Sequence, residues 1–266
     1  MYATTYHKPK TLSEAIELFE GSEDASYLSG GHTLIPTLKS RLAAPQHLID
    51  VRNIPELTSG IEVTADRVII GSATRHHIVA GSKEIQAVIP ALSGLAGSIG
   101  DVQVRHMGTM GGSTANNDPA ADYPAGLLGL GATIVTDRRS LTADNFFTGL
   151  FETALEEGEM VTAVTFEAPE KAGYAKFNNP ASRFAMTGVF VAKTAGGVRV
   201  AVTGAGSDGV FRHAGIEQAL SGNWSADVLA NISVSASGLM SDLHANAEYR
   251  ANLVKVMAKR AVLSSG

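Results

Sequence analysis

The 266-residue sequence has no cysteine, so it can form no disulfide and offers no thiolate for nucleophilic attack or for holding zinc or an iron–sulfur cluster. It also lacks any block of basic residues, and its net charge is −5. Nucleic acid, whose recognition draws on clustered lysine and arginine, is therefore not an expected partner. Long apolar runs are missing as well. None approaches the roughly 18 residues that a membrane span needs, and the opening MYATTYHKPKTL lacks the apolar core of a secretory signal. Together these absences describe a soluble protein expected in the cytoplasm. No internal repeat or low-complexity segment is visible. What the chain does have is 44% hydrophobic residues, enough for a full-sized core in one large domain or two modest ones.

Thr11 and Glu14 in TLSEAIELFEG fit a capping box, with Leu12, Ala15, Ile16 and Phe19 on one helical stripe and Gly21 at its end. ASYLSG and HLIDV read as buried strands on either side of a helix in TLIPTLKSRL, with Pro36 in its first turn. Residues 1 to about 54 thus form a small α/β unit. IEVTADRVIIGSAT reads as a hairpin around Ala65-Asp66. Residues 76 to 107 read as helix, with breaks expected at Pro90, Gly94, Gly97 and Gly100, and GTMGGSTANNDPAADYP reads as a long loop because it has no apolar period. AGLLGLGATIVT is a helix leading into a strand, and EMVTAVTFEAP is another strand. After EKAG, the strands YAKFNN, RFAMTGVFVAKT and VRVAVTGAG follow in quick succession, before helices around HAGIEQAL and AEYRANLVKVMAKRAVL. A boundary is expected near residue 172, with an α+β carboxy-terminal domain beyond it.

Two double-glycine segments carry the strongest chemical signal, SGGHT at 29–33 and TMGGST at 109–114. Without a Cβ, glycine lets backbone amides approach an anion, and the flanking serine and threonine hydroxyls add donors. One such pair alone reads more readily as a tight turn. Two in one chain suit a pyrophosphate. Gly204-x-Gly206-x-x-Gly209 has the form of a dinucleotide fingerprint, yet no crossover strand follows and the next helix opens too late, so it reads as a glycine-rich turn. His76 and His77 are adjacent, project about 100° apart on a helix, cannot share a metal, and are expected on the surface. Asp118 and Asp122 have the spacing to share a cation, but no further ligand pattern surrounds them. No Ser-His-Asp order or nucleophile elbow appears. The sequence offers a cofactor cradle with no self-contained catalytic constellation and no metal site.

Three stretches, YLSGGHTLIPTLKSRLAAPQHLIDVRNIPEL, VRHMGTMGGSTANNDPAADYPAGLLGLGATI and YAKFNNPASRFAMTGVFVA, together resemble the FAD-binding medium subunit of the molybdenum hydroxylases. Carbon monoxide dehydrogenase and xanthine dehydrogenase-type enzymes belong to that family. The resemblance runs from about residue 3 to the end, in the same order. It implies an α+β fold: a PCMH-type FAD-binding domain over 1–172, with subdomains of about 1–54 and 55–172, then a CO dehydrogenase flavoprotein carboxy-terminal domain over 173–266, a β meander packed with helices.

The resemblance also implies a site. Ser29, Gly30, Gly31, His32, Thr33 and Leu34, with Thr109, Gly111, Gly112 and Ser113, would wrap the FAD diphosphate and ribityl chain. Asn117, Asp118 and Asp122 would approach the flavin ring and the adenosine part, the Met160 backbone would lie near the ring, and Lys176 would stand at its pyrimidine edge, where a cation raises the potential. Some PCMH-type proteins carry a covalent histidyl-flavin, a role open to His32, but this subfamily implies noncovalent FAD. The stretch NNPASRFAM has only Arg183 where the family often carries several basic residues. The implied function is electron transfer: the FAD takes electrons from iron–sulfur clusters on a small partner subunit and passes them to an external acceptor, while a large partner subunit holds the molybdenum cofactor, the whole forming a dimer of heterotrimers. A stand-alone FAD-dependent oxidoreductase with its own small-molecule substrate is the alternative. An assembly protein without flavin is a third reading, disfavoured by the intact Gly30, Gly31, Gly111 and Gly112.

Overall fold

In the computed structural model, which describes residues 1–266, the chain forms three main sheets. The first is parallel, with strands in the order Thr5–His7, His47–Asp50, Ala25–Leu28. Helix Leu12–Glu20 starts where the sequence indicates, the Glu14 amide donating to Thr11 Oγ1 at 3.2 Å. The Glu14 carboxylate reaches one residue further back than a capping box requires and accepts the Lys10 amide at 2.7 Å. Pro36 is the third residue of helix Leu34–Lys39, where its missing N–H leaves no intrahelical bond unmade.

The second sheet is antiparallel, in the order Ile61–Val63, Arg67–Gly71, Val161–Glu167, Thr133–Thr136, Ser140–Thr142. Its Val68, Ile70, Val164 and Phe166 share one core with Val79, Ile85, Leu92 and Leu95 from the helices His76–Gly81, Lys83–Val88 and Pro90–Ser98. Two expectations are corrected here. Gly94 and Gly97 do not break the chain but lie inside Pro90–Ser98; burial of Leu92, Leu95 and Ala96 outweighs the roughly 1 kcal/mol that each glycine costs a helix. The stretch 108–124 is not one long loop: Met110–Asn116 is a helix, only 117–121 remain as a connection, and the helix expected over AGLLGL already begins at Asp122. Every residue from Asp122 to Leu130 is buried, so the helix has no solvent face and the sequence shows no amphipathic period.

The third sheet is a meander of Lys171–Asn178, Ala185–Thr194, Gly197–Thr203 and Phe211–Arg212. Val189, Val191, Val200 and Val202 pack on Val254, Met257 and Ala258 of helix Ala247–Leu263. The opposite face sends Phe190, Ala192 and Ala201 into the core of the second sheet. A new sheet thus opens near residue 172, yet the apolar core continues across that point. Gly129 permits the close approach, because a Cβ there would lie 2.7 Å from the Phe190 ring. Gly204 and Gly209 take φ of +78° and +100°, and no helix opens before Ala214, so that segment is the glycine-rich turn expected.

Buried Arg250, on the last helix, donates to the carbonyls of Met186 and Gly204 and pairs with Asp242 at 2.7 Å. Those strand ends hold the segment before helix Asp122–Leu130: the Gly204 amide donates to Pro119 O at 2.8 Å, and Thr203 Oγ1 donates to Ala121 O at 2.7 Å. The last helix therefore braces residues 119–121 through two short links.

Candidate functional site

A cleft of about 850 Å³ opens where the three sheets approach one another, lined by Ser29–Leu34, Gly108–Thr109, Gly111–Ser113, Asp118, Asp122, Glu159–Val161 and Ala181–Phe184. That volume is near the upper end for a small-molecule site. Both double-glycine segments lie in its wall, although they differ in what they present.

The first leaves strand Ala25–Leu28, with Gly31 at φ +74°, a conformation that favours glycine. Gly30 has no room for a side chain: a Cβ would come 2.6 Å from Met107 O. The amides of Gly30, Gly31, His32 and Thr33 find no backbone acceptor. Four successive free donors in a cleft wall form an anion-binding concavity.

The second segment has its donors engaged. Met110 N donates to Thr74 O at 2.9 Å, Gly111 N to Ser72 O at 2.8 Å, and Ser113 N to Thr109 O at 3.0 Å. Gly112 N donates to Thr109 Oγ1 at 3.1 Å. Gly111 is glycine because a Cβ would overlap Ser72, at the end of strand Arg67–Gly71, and Gly112 because one would meet Thr109 Oγ1 at 2.9 Å. These glycines seat a helix against a sheet and bring Thr109 to Ser29, whose hydroxyls lie 2.8 Å apart. The bare backbone thus leaves unbonded amides in the cleft wall in one segment and close helix packing in the other.

Asp122 lies in the cleft wall and accepts Lys176 Nζ at 2.9 Å and the Tyr174 hydroxyl. Tyr174 and Lys176 project from one face of strand Lys171–Asn178. The Asp122 and Lys176 side chains are only 3% and 4% exposed. Lys176, expected at the pyrimidine edge, is itself outside the lining, and its charge is balanced by a carboxylate. Burial pushes the Asp122 pKa up, with Lys176 and Tyr174 pulling against it, and burial together with Asp122 raises the Tyr174 phenol well above its ordinary value. Asp118 also lines the cleft; burial raises its pKa, opposed by the Ala120 amide at 2.8 Å.

Asn117 stands apart from this group. It caps helix Met110–Asn116 at φ +41°, and its Nδ2 donates to Gly149 O at 2.9 Å and Glu152 O at 2.8 Å, so the carboxamide faces a neighbouring turn and Asn116 lines the cleft instead. Met160 lines the cleft with both backbone groups engaged by Asp137: its amide donates to Oδ1 at 2.7 Å and its carbonyl accepts the Asp137 amide at 3.0 Å. Its side chain is what remains for a ligand.

His76 and Glu159 are among the wall residues that sequence reasoning missed. His76 is not at the surface but 4% exposed, because Gly108 leaves space for its ring: a Cβ on Gly108 would lie 2.5 Å from His76 Nε2. Burial pushes its pKa down to about 3, with His32, Arg105 and His77 adding to the effect. His77 is half-buried, its ring stacked on His106 at 4.2 Å and its Nδ1 3.2 Å from Arg105 O. Glu159 accepts Arg139 Nε at 2.9 Å and Nη2 at 2.8 Å, Thr136 Oγ1 at 2.8 Å and the Glu156 amide at 2.8 Å. The Arg139 bond lowers its pKa to about 2 against the opposing effect of burial. Gly108, one residue before Thr109, was the available signal for His76; no spacing rule joins Arg139 to Glu159.

No group of three or more metal-binding side chains occurs, and no helix is long and apolar enough to cross a membrane. Residues 2–168 match the family described as the FAD binding domain in molybdopterin dehydrogenase. The chain is 35% identical to the carbon monoxide dehydrogenase medium chain of Afipia carboxidovorans, over 97% of this chain and 94% of that one. It is 32% identical to the glyceraldehyde dehydrogenase medium chain of Sulfolobus acidocaldarius, over 97% and 96%. The structure of reconstituted CO dehydrogenase from Oligotropha carboxidovorans is similar with a TM-score of 0.90, at 32% identity and over 99% and 97% of the two chains. The four free amides beside a large, partly apolar cleft fit a dinucleotide with a diphosphate at its centre. Sequence, fold and cleft agree that the chain belongs to the FAD-binding medium subunits of the molybdenum hydroxylase family of oxidoreductases.

Proposed function

We propose that this chain holds FAD noncovalently in the cleft and serves as the electron-transfer subunit of a molybdenum-containing hydroxylase, receiving electrons from iron–sulfur clusters on a small partner subunit and delivering them to an external acceptor. The observation that carries this reading is the run of unbonded amides from Gly30 to Thr33 in the cleft wall. Bound FAD supplies a redox centre able to exchange electrons singly or in pairs. The chain's own residues bind and enclose it.

The amides of Gly30, Gly31, His32 and Thr33 donate to the diphosphate, and Ser29, Thr109 and Ser113 stand beside them with hydroxyls. Gly111 and Gly112 keep the facing helix close, and Leu34 covers the loop end. Ile99, Val104, Leu155, Met160 and Phe184 supply apolar wall that excludes water. Asp118 and Asp122 offer carboxylates at the polar end, with Lys176 holding Asp122 in place. In this division of labour residues 1–172 hold the cofactor and residues 173–266 close over it through Ala181–Phe184.

The chain then works beside an iron–sulfur small subunit and a molybdopterin large subunit, in a cytoplasmic dimer of heterotrimers. Relatives named as medium chains support a multi-subunit assembly, and their names pair one fold with substrates as unlike as carbon monoxide and glyceraldehyde. That pairing supports a role in moving electrons, with substrate chemistry lying elsewhere. The chain has no cysteine to hold a thiolate-bound cluster, which supports a division of labour in which partners carry the clusters.

The test is an absorbance spectrum of the purified chain before and after acid precipitation, with and without its co-expressed partners. Flavin bands at about 370 and 450 nm that move to the acid supernatant, joined by iron–sulfur absorbance only with partners, are the expected result. A colourless protein in both preparations overturns the reading.

A further inference from the structure

The part of the cleft beside the free amides has almost no permanent positive charge. Among all its lining residues the only arginine is Arg183 and there is no lysine, whereas Asp101, Asp118, Asp122 and Glu159 all border it. An anion there depends on neutral donors. The imidazole of His76 is one more neutral donor in the cleft wall.

His76 opens helix His76–Gly81, and its amide donates to Gly108 O at 3.0 Å, which fixes the ring beneath the second glycine segment. The ring packs beside Tyr123, with centroids 5.2 Å apart. Its Nδ1 is sealed from solvent and has no hydrogen-bond partner. Its Nε2 is turned to Gly108, which is itself in the cleft wall, and the missing Cβ of that glycine is what leaves the nitrogen room. A neutral imidazole has one N–H to place. On Nδ1 it would be a buried donor without an acceptor, a rarity in folded proteins; on Nε2 it lies beside Gly108 in the cleft wall.

Resting on the reading that FAD occupies this cleft, we infer that His76 is a further cofactor-binding residue, an uncharged imidazole whose Nε2–H donates to a diphosphate oxygen of the dinucleotide. The arrangement suits a site ringed by carboxylates, since a neutral donor stabilises phosphate without the desolvation that a buried cation incurs. Burial, which holds the ring neutral, keeps that donor available at any physiological pH.

The test uses the full chain with ¹⁵N-labelled histidine. Long-range proton–nitrogen spectra are expected to show His76 as the Nε2–H tautomer at pH 7 and pH 5, and its Nε2 signal is expected to shift on addition of ADP or FAD. An Nδ1–H tautomer, a charged ring, or no shift on binding overturns the inference. In parallel, FAD affinity is read from flavin fluorescence for wild type, His76→Leu and His76→Gln. Loss of a hydrogen bond to a charged group weakens binding by about tenfold or more, so His76→Leu is expected to bind that much less tightly, and His76→Gln, which keeps an N–H, to recover most of the loss. Riboflavin, which lacks the diphosphate, is expected to bind wild type and His76→Leu alike; an equal weakening for riboflavin overturns the inference in favour of a packing role. Equal FAD affinity in all three proteins overturns it while leaving the FAD site standing, and a wild-type chain that binds neither FAD nor ADP overturns both.

Discussion

Ser29 Oγ lies 2.8 Å from Thr109 Oγ1, and this one hydroxyl pair joins two glycine segments 80 residues apart in the chain. The same Thr109 oxygen accepts the Gly112 amide, so it both caps a helix and clasps the opposite wall. Thr109→Val keeps the shape and removes both bonds. It is expected to cost about 1 kcal/mol as a lost cap and to weaken FAD binding, whereas Thr109→Ser retains both. Urea midpoints and flavin titration of the two variants check this; a Thr109→Val chain that binds FAD as tightly as wild type shows the clasp to be unconnected with the site.

Glycines in this chain separate into those that packing requires and those it does not. Gly111→Ala places a Cβ against Ser72 and is expected to destabilise the chain by about 1–3 kcal/mol even without cofactor. Gly94 is exposed, with nothing within 4 Å of an added Cβ, so Gly94→Ala is expected to stabilise by about 0.5–1 kcal/mol. Thermal unfolding of the two apo-proteins should move in opposite directions, and a shared direction would refute the contrast.

The buried pair of Asp122 and Lys176 is expected to fail when broken singly. Asp122→Asn and Lys176→Met each leave one group buried without its counter-charge, at about 3–5 kcal/mol. The double variant is expected to cost less than the sum, and a double-mutant cycle by chemical denaturation measures the difference. Strict additivity would show that the two side chains do not depend on one another.

Acid should unfold the protein through two groups in sequence. His76 titrates at about 3 in the fold against an ordinary 6.5, so the unfolded chain takes up the proton first and stability falls as pH drops from about 6.5 towards 3. Glu159 titrates at about 2 against 4.5, so the stability it contributes is complete above pH 4.5 and is lost as pH falls towards 2. His76→Leu should flatten the upper part of the acid limb and Glu159→Gln the lower part, as read from denaturant midpoints at a series of pH values. Unchanged slopes in both variants would contradict these assignments.

Arg250 is expected to control the mobility of a segment it does not touch. Arg250→Met removes the donors to Met186 O and Gly204 O, and the amide and hydroxyl that hold Pro119 and Ala121 then lose their brace. Hydrogen exchange should quicken at the amides of residues 120–122 more than at strand Val161–Glu167. A uniform change, or none, would show that the brace has no local effect.

Much of this was legible from sequence because local rules decided it. The Thr11 cap, the hairpin at Ala65-Asp66 and the meander after residue 171 follow from capping, turn and alternation signals. Helix Asp122–Leu130 was legible over AGLLGL but not in its first turn, since a helix buried all round gives no amphipathic period to mark its start, and helix Met110–Asn116 was hidden because its small residues serve contact with Ser72 rather than an amphipathic face. At the site, the first glycine segment announced its free amides. The pairing of Lys176 with Asp122, the hold of Asn117 on the 149–152 turn and the burial of His76 depend on groups 54, 32 and 32 residues away, respectively, separations over which sequence pattern carries no distance.

The brace from Arg250 also bears on the timing of synthesis. The loop that offers its amides is made well before the helix that steadies residues 119–121. During translation, at about 5–20 residues per second, half of the binding surface is displayed while the other half is still unsupported. If FAD occupies the cleft, its tight binding is expected to await synthesis of the last helix, and chains that stop short of Arg250 are expected to hold it less tightly.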